Sequence, residues 1–131
     1  MGFVHAQVEI SNARFPERGG ISTNVLVDSA AYLTCVPEQV RAELDLEEID
    51  RRPVQLADGR ITEVPYVGPI HLRFENRQAF GGALVMGNEV LLGAIAMEDM
   101  DFIIEPRSQK LVVNPERPDK AGGFMGSIRP A

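Results

Sequence analysis

The chain has 131 residues, of which 44% are hydrophobic, so its length suits one domain with a real core. It carries 13 Lys and Arg against 19 Asp and Glu, and the net charge of −6 argues against nucleic acid as a partner. The single cysteine excludes an intrachain disulfide and is typical of a reducing compartment. No apolar run approaches the ~20 residues that span a bilayer, and the N-terminus alternates instead of forming a signal-peptide core. We therefore predict a cytoplasmic protein with no membrane partner.

The first part of the chain predicts two strands followed by a short helix. Apolar and polar residues alternate over residues 4–10, which is the period-2 pattern of a half-buried strand. A Pro and a Gly pair make residues 11–20 a loop. Residues 21–27 then form an apolar strand that ends at Asp28. A Pro that suits the first turn begins a short amphipathic helix over residues 37–46.

From residue 53 onward the pattern is mainly β. Residues 54–57 and 61–64 flank Asp58-Gly59, which predicts a two-residue hairpin turn because both positions tolerate positive φ. A turn at Asn76-Arg77 and a short helix beginning at Gly93 interrupt the later strands. These later strands are predicted over residues 70–74, 83–86, 90–92, 102–105 and 110–113. The tail after them contains several Pro residues and a Gly pair, so we predict it to be irregular.

Most other chemistry-bearing residues have an ordinary structural explanation. The acidic groups at residues 47–50 and 98–101 lack the Gly and the spacing of a calcium loop, so we interpret both as solvated faces. His5 and His71 lie far apart with no neighbouring Cys or His, which favours solvent exposure over metal binding. Cys35 lies in an apolar stretch and indicates a buried structural thiol. We predict no metal and no cofactor.

Residues 28–37, DSAAYLTCVP, follow an apolar strand and resemble the active-site signature of retropepsin-like (clan AA) aspartic proteases. The pattern of that family is an Asp, a Thr or Ser, a Gly, usually an Ala, two variable residues, and a Thr or Ser before an apolar pair. The residues that match in place are Asp28, Ser29, Ala31, Thr34 and Val36. The departure is Ala30, which stands where the family normally has Gly.

Two further landmarks of the family follow in order. Leu91-Leu92-Gly93-Ala94 looks like its apolar pair and Gly before a short helix, and the hairpin over residues 54–64 occupies the place of its flap. The resemblance is strongest to the small bacterial retropepsin-like proteins. It implies a mainly β domain over residues 1–113, a closed β-barrel with a flap hairpin and one or two short helices. Residues 114–131 would form an irregular or dimer-associated tail.

One internal echo supports this interpretation. Val25-Leu26-Val27-Asp28-Ser29-Ala30-Ala31 and Val90-Leu91-Leu92-Gly93-Ala94-Ile95-Ala96 share a scheme of apolar strand, small-residue turn and helix. We hypothesise that the domain holds two copies of one supersecondary unit. Asp28 and Gly93 would then lie at equivalent turns.

The resemblance also implies a homodimer. Aspartic proteases use two carboxylates that share one proton, and this chain offers one Asp-Ser-Ala sequence, so a C2 partner would supply the second Asp28. A flap would close over an extended peptide or protein substrate. The implied site consists of the catalytic Asp28, the active-site loop residues Ser29, Ala30 and Ala31, the substrate-binding flap residues Ala57, Asp58, Gly59 and Arg60, and the structural turn residue Gly93.

Two functions of different classes stay open. The first is a homodimeric aspartic endopeptidase that hydrolyses peptide bonds with a water activated by two Asp28 carboxylates. The second is a catalytically weak or inactive retropepsin-like domain that dimerises or binds peptides, marked by Ala30, since Gly can adopt conformations that Ala resists. The ordered landmarks, and the cost of burying an Asp that has no role, place the peptidase first.

Overall fold

The computed structural model describes residues 4–130. The predicted domain and tail also include residues 1–3 and Ala131, which lie outside the described residues. Two α-helices and a single 3₁₀ turn (Pro16–Arg18) accompany the strands; the helices are α1 (Glu38–Glu43) and α2 (Ala94–Asp99). The strands are β1 (Val4–Asn12), β2 (Gly20–Val27), β3 (Thr34–Val36), β4 (Glu47–Gln55), β5 (Ile61–Phe74), β6 (Arg77–Val85), β7 (Leu91–Leu92), β8 (Phe102–Glu105) and β9 (Lys110–Val113). Each α-helix has six residues, so no helix within residues 4–130 could cross a membrane.

Six strands form a closed ring. Their order is β1-β2-β7-β3-β6-β5, and β5 pairs back onto β1, so the sheet has the closed-barrel form that we predicted. β4 pairs with β5 outside the ring and makes a long hairpin with it. β8 and β9 form a separate two-stranded sheet. The fold is mainly β, as predicted.

The core fills the inside of this ring. The alternation predicted for residues 4–10 is confirmed, because Val4, Val8 and Ile10 are buried and His5 is exposed. Each fully buried Val, Ile or Leu side chain contributes about 1.5–3 kcal/mol of transfer free energy. The second sheet joins the same core through Phe102, whose ring meets that of Phe74 edge-on with centroids 4.8 Å apart. The fully buried side chains are Ile10, Leu46, Ile70, Leu92, Met100, Val8, Val25, Val36 and Val67.

The β4–β5 hairpin lies where we predicted the flap, but its turn is different. Gln55 pairs with Ile61, so the loop between them has five residues, Leu56–Arg60, and is not a two-residue Asp58-Gly59 turn. Within this loop Gly59 alone has a positive φ, of 88°. Asp58 instead uses its carboxylate to accept a hydrogen bond from the N–H of Arg60 at 3.0 Å.

Three other predicted boundaries are wrong for local reasons. The helix predicted over residues 37–46 ends at Glu43, and Asp45 has a φ of 52°, which a right-handed helix cannot continue through. β4 then begins at Glu47, earlier than the sequence suggested, because its first five residues are all exposed and show no alternation. The predicted Asn76-Arg77 turn lies one residue earlier, with Glu75 at a φ of 54°, since Arg77 already belongs to β6.

Candidate active site

Asp28 and Gly93 lie side by side at the ends of two parallel strands. β2 and β7 are in register with Val27 opposite Leu92, so the chain leaves both strands at the same edge. The Asp28 N–H donates a hydrogen bond to the Leu92 carbonyl at 3.1 Å. The two turns are therefore equivalent in position, as the internal echo suggested. The two units differ after these turns. Helix α2 follows Gly93 at once, whereas β3 lies between Asp28 and α1.

The loop after Asp28 is fixed by the first residues of α2. The N–H groups at the start of a helix have no partner inside the helix. Here the N–H of Ala94 donates to the Ala31 carbonyl at 2.7 Å, and the N–H of Ile95 donates to the Tyr32 carbonyl at 3.1 Å. The loop and the helix therefore satisfy each other's backbone groups, and the position of Asp28 is set by main-chain contacts.

Gly93 is the glycine on which this arrangement depends. A Cβ at this position would lie 2.5 Å from the carbonyl carbon and oxygen of Leu33 and 2.9 Å from the Thr34 nitrogen. The φ of Gly93 is −88°, so its need for glycine comes from close packing and not from an unusual backbone conformation. Its N–H also points to the buried Thr34 Oγ1 at 3.4 Å. This geometry supports the structural role predicted for Gly93.

The Asp28 carboxylate is half-buried and holds its own loop through one oxygen. Its Oδ1 accepts a hydrogen bond from the Ala30 N–H at 2.9 Å, and its carbonyl accepts one from the Ala31 N–H at 3.2 Å. Among residues 4–130, no other group donates a hydrogen bond to this carboxylate. The second oxygen is therefore available to a water or to a second carboxyl group.

Ala30 is accommodated without strain in the single chain. Its side chain is exposed, and its backbone does not have a positive φ. The methyl group that replaces the usual glycine hydrogen therefore meets no crowding from the described part of its own chain. Ser29 is exposed next to it.

A cleft of about 470 Å³ opens beside this loop. Residues 30–33 line one side and residues 53–57 of the β4–β5 hairpin line another. The remaining lining residues are Cys35, Leu84, Met86 and Leu91. The cleft is thus built mainly from aliphatic side chains. Tyr32 lines the cleft and is 58% exposed.

The β4–β5 hairpin contributes to the cleft through the end of β4 and the residues that follow it. Of the four predicted flap residues only Ala57 lines the cleft, whereas Asp58, Gly59 and Arg60 lie at the exposed tip. The same stretch lines the cleft with four residues that we did not predict, Pro53, Val54, Gln55 and Leu56. The signal for them was present in the sequence, because apolar Val54 and Leu56 alternate with polar Gln55.

Cys35 lines the cleft as a protonated thiol. Burial raises the pKa of this thiol, and the nearby negative charge of Asp28 raises it further. Its Sγ is 3.8 Å from the Leu33 carbonyl oxygen. Because the thiolate is the reactive form of cysteine, a raised pKa supports the predicted structural role over a nucleophilic one.

Asp101 contradicts the prediction that residues 98–101 form a solvated face. It is 8% exposed and lies between α2 and β8, where its φ is 57°. Its carboxylate accepts hydrogen bonds from Arg117 Nε at 2.5 Å and Nη2 at 3.0 Å, from Asn114 Nδ2 at 3.1 Å and from the Gly122 N–H at 3.1 Å. These donors, Arg117 first, hold the pKa of Asp101 well below its usual range. We call these four residues the Asp101 clasp.

The buried side chain of Arg77 packs against the clasp. This residue is 3% exposed, its Nη2 donates to the Arg117 carbonyl, and its Nη1 lies 3.9 Å from Asp101 Oδ2. Two guanidinium groups therefore surround one carboxylate. The sequence did not reveal this cluster because the hydrogen-bond donors to Asp101 lie 13 to 21 residues after it in the chain, and Arg77 lies well before it.

The histidines do not converge on a metal site. His5 is exposed as predicted and lies 3.6 Å from Glu89. His71 is half-buried because its ring stacks on Phe80, with centroids 4.3 Å apart. Within the described range, no group of three or more His, Cys, Asp or Glu side chains could hold a metal ion.

Comparisons with known proteins identify the class of fold. No family model matches the chain, and no curated protein matches it. Among solved structures, EIAV protease complexed with the inhibitor HBY-793 is similar with a TM-score of 0.56 and 17% identity, over 72% of this chain and 85% of that protease. The retroviral protease-like domain of Ddi1 from Leishmania major is similar with a TM-score of 0.57 and 12% identity, over 86% of this chain and 90% of that domain. The chain therefore has a retropepsin-like fold, as the sequence resemblance implied.

Proposed function

We propose that this chain is a homodimeric aspartic endopeptidase whose catalytic residue is Asp28. The observation that carries the proposal is the position of Asp28, which lies half-buried at a strand end, is held through one oxygen, and adjoins an aliphatic cleft. The retropepsin-like fold supports it, because similar chains of this fold include a retroviral protease.

The second carboxylate would come from a second copy of the chain. The turn equivalent to Asp28 within one chain holds Gly93, so a single chain supplies half of a two-carboxylate site. A C2 interface presents the same residue from both subunits and brings two Asp28 side chains together at the axis. One carboxylate, ionised, then takes a proton from a water, while the protonated partner donates a hydrogen bond to the scissile carbonyl.

The rest of the site would bind and orient an extended peptide. β4 pairs only with β5 within residues 4–130, so its other edge offers unpaired backbone groups beside the cleft. An extended peptide that hydrogen-bonds to a free strand edge gains affinity from its main chain, and pockets select its side chains. The pocket here is lined by Leu33, Val54, Leu56 and Leu91, so it favours substrates with an apolar side chain at this position.

A peptide-binding or dimerisation domain without catalysis is the second candidate. The observation that favours it is Ala30 in place of the usual glycine. In a symmetric dimer the two Asp28 loops face each other, so a methyl group that is exposed in one chain would meet the partner loop. This contact could hold the carboxylates apart while leaving the cleft intact.

The test is cleavage of a mixed peptide library at several pH values from acid to neutral. We expect the wild type to cut the library and Asp28→Asn to be slower by about 10²–10⁴-fold, the usual contribution of a general acid-base group. Asp119→Asn is the matched control, because Asp119 is exposed on the tail and does not line the cleft. Light scattering on each preparation reports whether it is a dimer.

The outcomes separate the two candidates. A monomeric wild type at high concentration would contradict the shared two-carboxylate site. A well-formed dimer that cuts nothing would favour the peptide-binding domain. Equal cleavage by wild type and Asp28→Asn would mean that another residue, or a contaminating protease, performs the reaction.

A further inference from the structure

The C-terminal tail consists of an attached part and a free part. Residues 114–122 are attached to the barrel by the Asp101 clasp and by Asn76, whose Nδ2 donates to the carbonyls of Pro118 and Asp119 at 2.8 and 3.1 Å. Residues 123–130 make a single hydrogen bond in the described structure, from the Ile128 N–H to the Met125 carbonyl at 3.1 Å. Attachment therefore ends at Gly122.

The free part carries three large apolar side chains in the open. Phe124 is 93% exposed, Met125 is 68% exposed and Ile128 is 67% exposed. Single exposed apolar residues are common on protein surfaces, but three within five positions on an unattached segment are a potential binding element. A Cβ at Gly123 would meet no atom within 4 Å, so nothing covers the backbone that precedes Phe124.

This segment has the properties of a ligand for the proposed cleft. The cleft is lined by aliphatic side chains and adjoins a free strand edge, which suits an extended peptide with apolar side chains. Residues 123–130 contain no helix or strand that would have to unfold before they bind. Fully extended, these residues would reach about 26 Å, which is long enough to cross a peptide-binding cleft.

We propose that the Phe124–Met125 peptide bond is a substrate of the two-Asp28 site, cut by a second dimer; this inference rests on the proposed function. The reaction consumes one water. The bond from the Phe124 carbonyl carbon to the Met125 nitrogen breaks, and the water oxygen becomes part of a new carboxyl group on Phe124. The Met125 nitrogen takes up a proton and leaves as an amine, so the products are residues 1–124 and 125–131.

The cut leaves the folded body intact. Every contact of the Asp101 clasp involves residues up to Gly122, so the cleaved chain keeps the bonds that attach its tail. Cleavage therefore removes the exposed apolar segment after Phe124 without removing a structural contact.

The experiment uses two substrates in parallel with the mixed library. The first is the full chain itself, followed by intact mass during incubation of wild type and of Asp28→Asn at several protein concentrations. The second is a synthetic peptide of residues 118–131, with a matched peptide that carries Phe124→Gly. We expect residues 1–124 to accumulate in the wild type alone, faster at higher concentration. The Phe124→Gly peptide should be cut about 10–200-fold more slowly, the range expected for loss of one apolar pocket contact.

Each outcome decides between this inference and the proposed function. A wild type that cuts the library but leaves its tail and the peptide intact overturns this inference alone. Cleavage elsewhere in residues 123–130, with the Phe124–Met125 bond intact, overturns it as well. A wild type that cuts neither library nor tail overturns both proposals.

Discussion

Asp28 and Asp101 are two carboxylates withdrawn from solvent that the fold uses in opposite ways. Asp28 is half-buried and accepts one hydrogen bond, from a backbone N–H two residues away. Asp101 is nearly fully buried and accepts four hydrogen bonds, from groups 13 to 21 residues away. A carboxylate whose oxygens are saturated with donors has no capacity left for a water, whereas Asp28 keeps one oxygen free.

The comparison teaches that a carboxylate with a strongly shifted pKa can belong to a structural cluster. Strongly shifted pKa values are common at active sites, but structural ion-pair networks shift them too. Here the lowered pKa belongs to Asp101, whose donors attach the tail to the barrel. Asp28 differs from Asp101 because one of its carboxylate oxygens accepts no hydrogen bond from residues 4–130 and lies beside the cleft.

The largest effect on stability is expected from Asp101→Asn, with Asp28→Asn as the comparison. Asp101→Asn should lower the urea midpoint clearly, because the amide NH₂ would face the donors of Arg117 or Asn114 and the negative charge between two guanidinium groups would be lost. Asp28→Asn should leave the midpoint unchanged or slightly raised in the dimer, since it removes repulsion between like charges. Urea unfolding of both variants checks this. Equal midpoints for the two variants would end the distinction between them.

The pH dependence of stability tests whether the charge of Asp101 stabilises the clasp. The folded-state pKa of Asp101 is depressed, so its stabilisation is fully present above the ordinary Asp pKa of about 3.9 and is lost as pH falls toward the folded-state pKa. The difference in urea midpoint between wild type and Asp101→Asn should therefore be constant above about pH 5 and shrink below about pH 4. A difference that stayed constant into acid would show that the charge of Asp101 is not what stabilises the clasp.

A smaller effect is expected at the backbone that supports Asp28. Gly93→Ala should destabilise the fold by about 1–3 kcal/mol, because its methyl group would overlap the main chain at Leu33 and Thr34. Cleavage should fall as well, since the same loop positions Asp28. Gly81→Ala is the control for stability, because a Cβ there meets no atom within 4 Å. Equal urea midpoints for the two variants would contradict the close approach at Gly93.

The smallest effect is expected from Ala30→Gly. Because the Ala30 side chain is exposed and its φ is ordinary, glycine should cost about 0.4–1 kcal/mol through the entropy of the unfolded chain. We expect no gain in cleavage rate on the peptide library. A clear gain would show that the methyl group crowds the partner loop in the dimer, which is the situation that the second candidate function assumes.

The sequence alone predicted the features that depend on neighbouring residues. Alternation located β1, and an apolar strand followed by small residues located the turns at Asp28 and Gly93. The order of these landmarks, with a hairpin between them, resembles the retropepsin-like pattern, and that resemblance implied a closed mainly β fold. Such signals survive in a single sequence because strand periodicity and turn chemistry are local.

Tertiary structure decided everything that joins residues distant in the chain. It placed β3 beside β6, so that Cys35 and Leu84 line one cleft, and it turned Asp101 from a predicted surface residue into the centre of a clasp. No local pattern marks an Asp whose donors lie 13 to 21 residues further on, because only the closed barrel brings them together. Whether a charged side chain is buried and paired depends on how the whole chain packs. The sequence by itself shows only which charged residues are present.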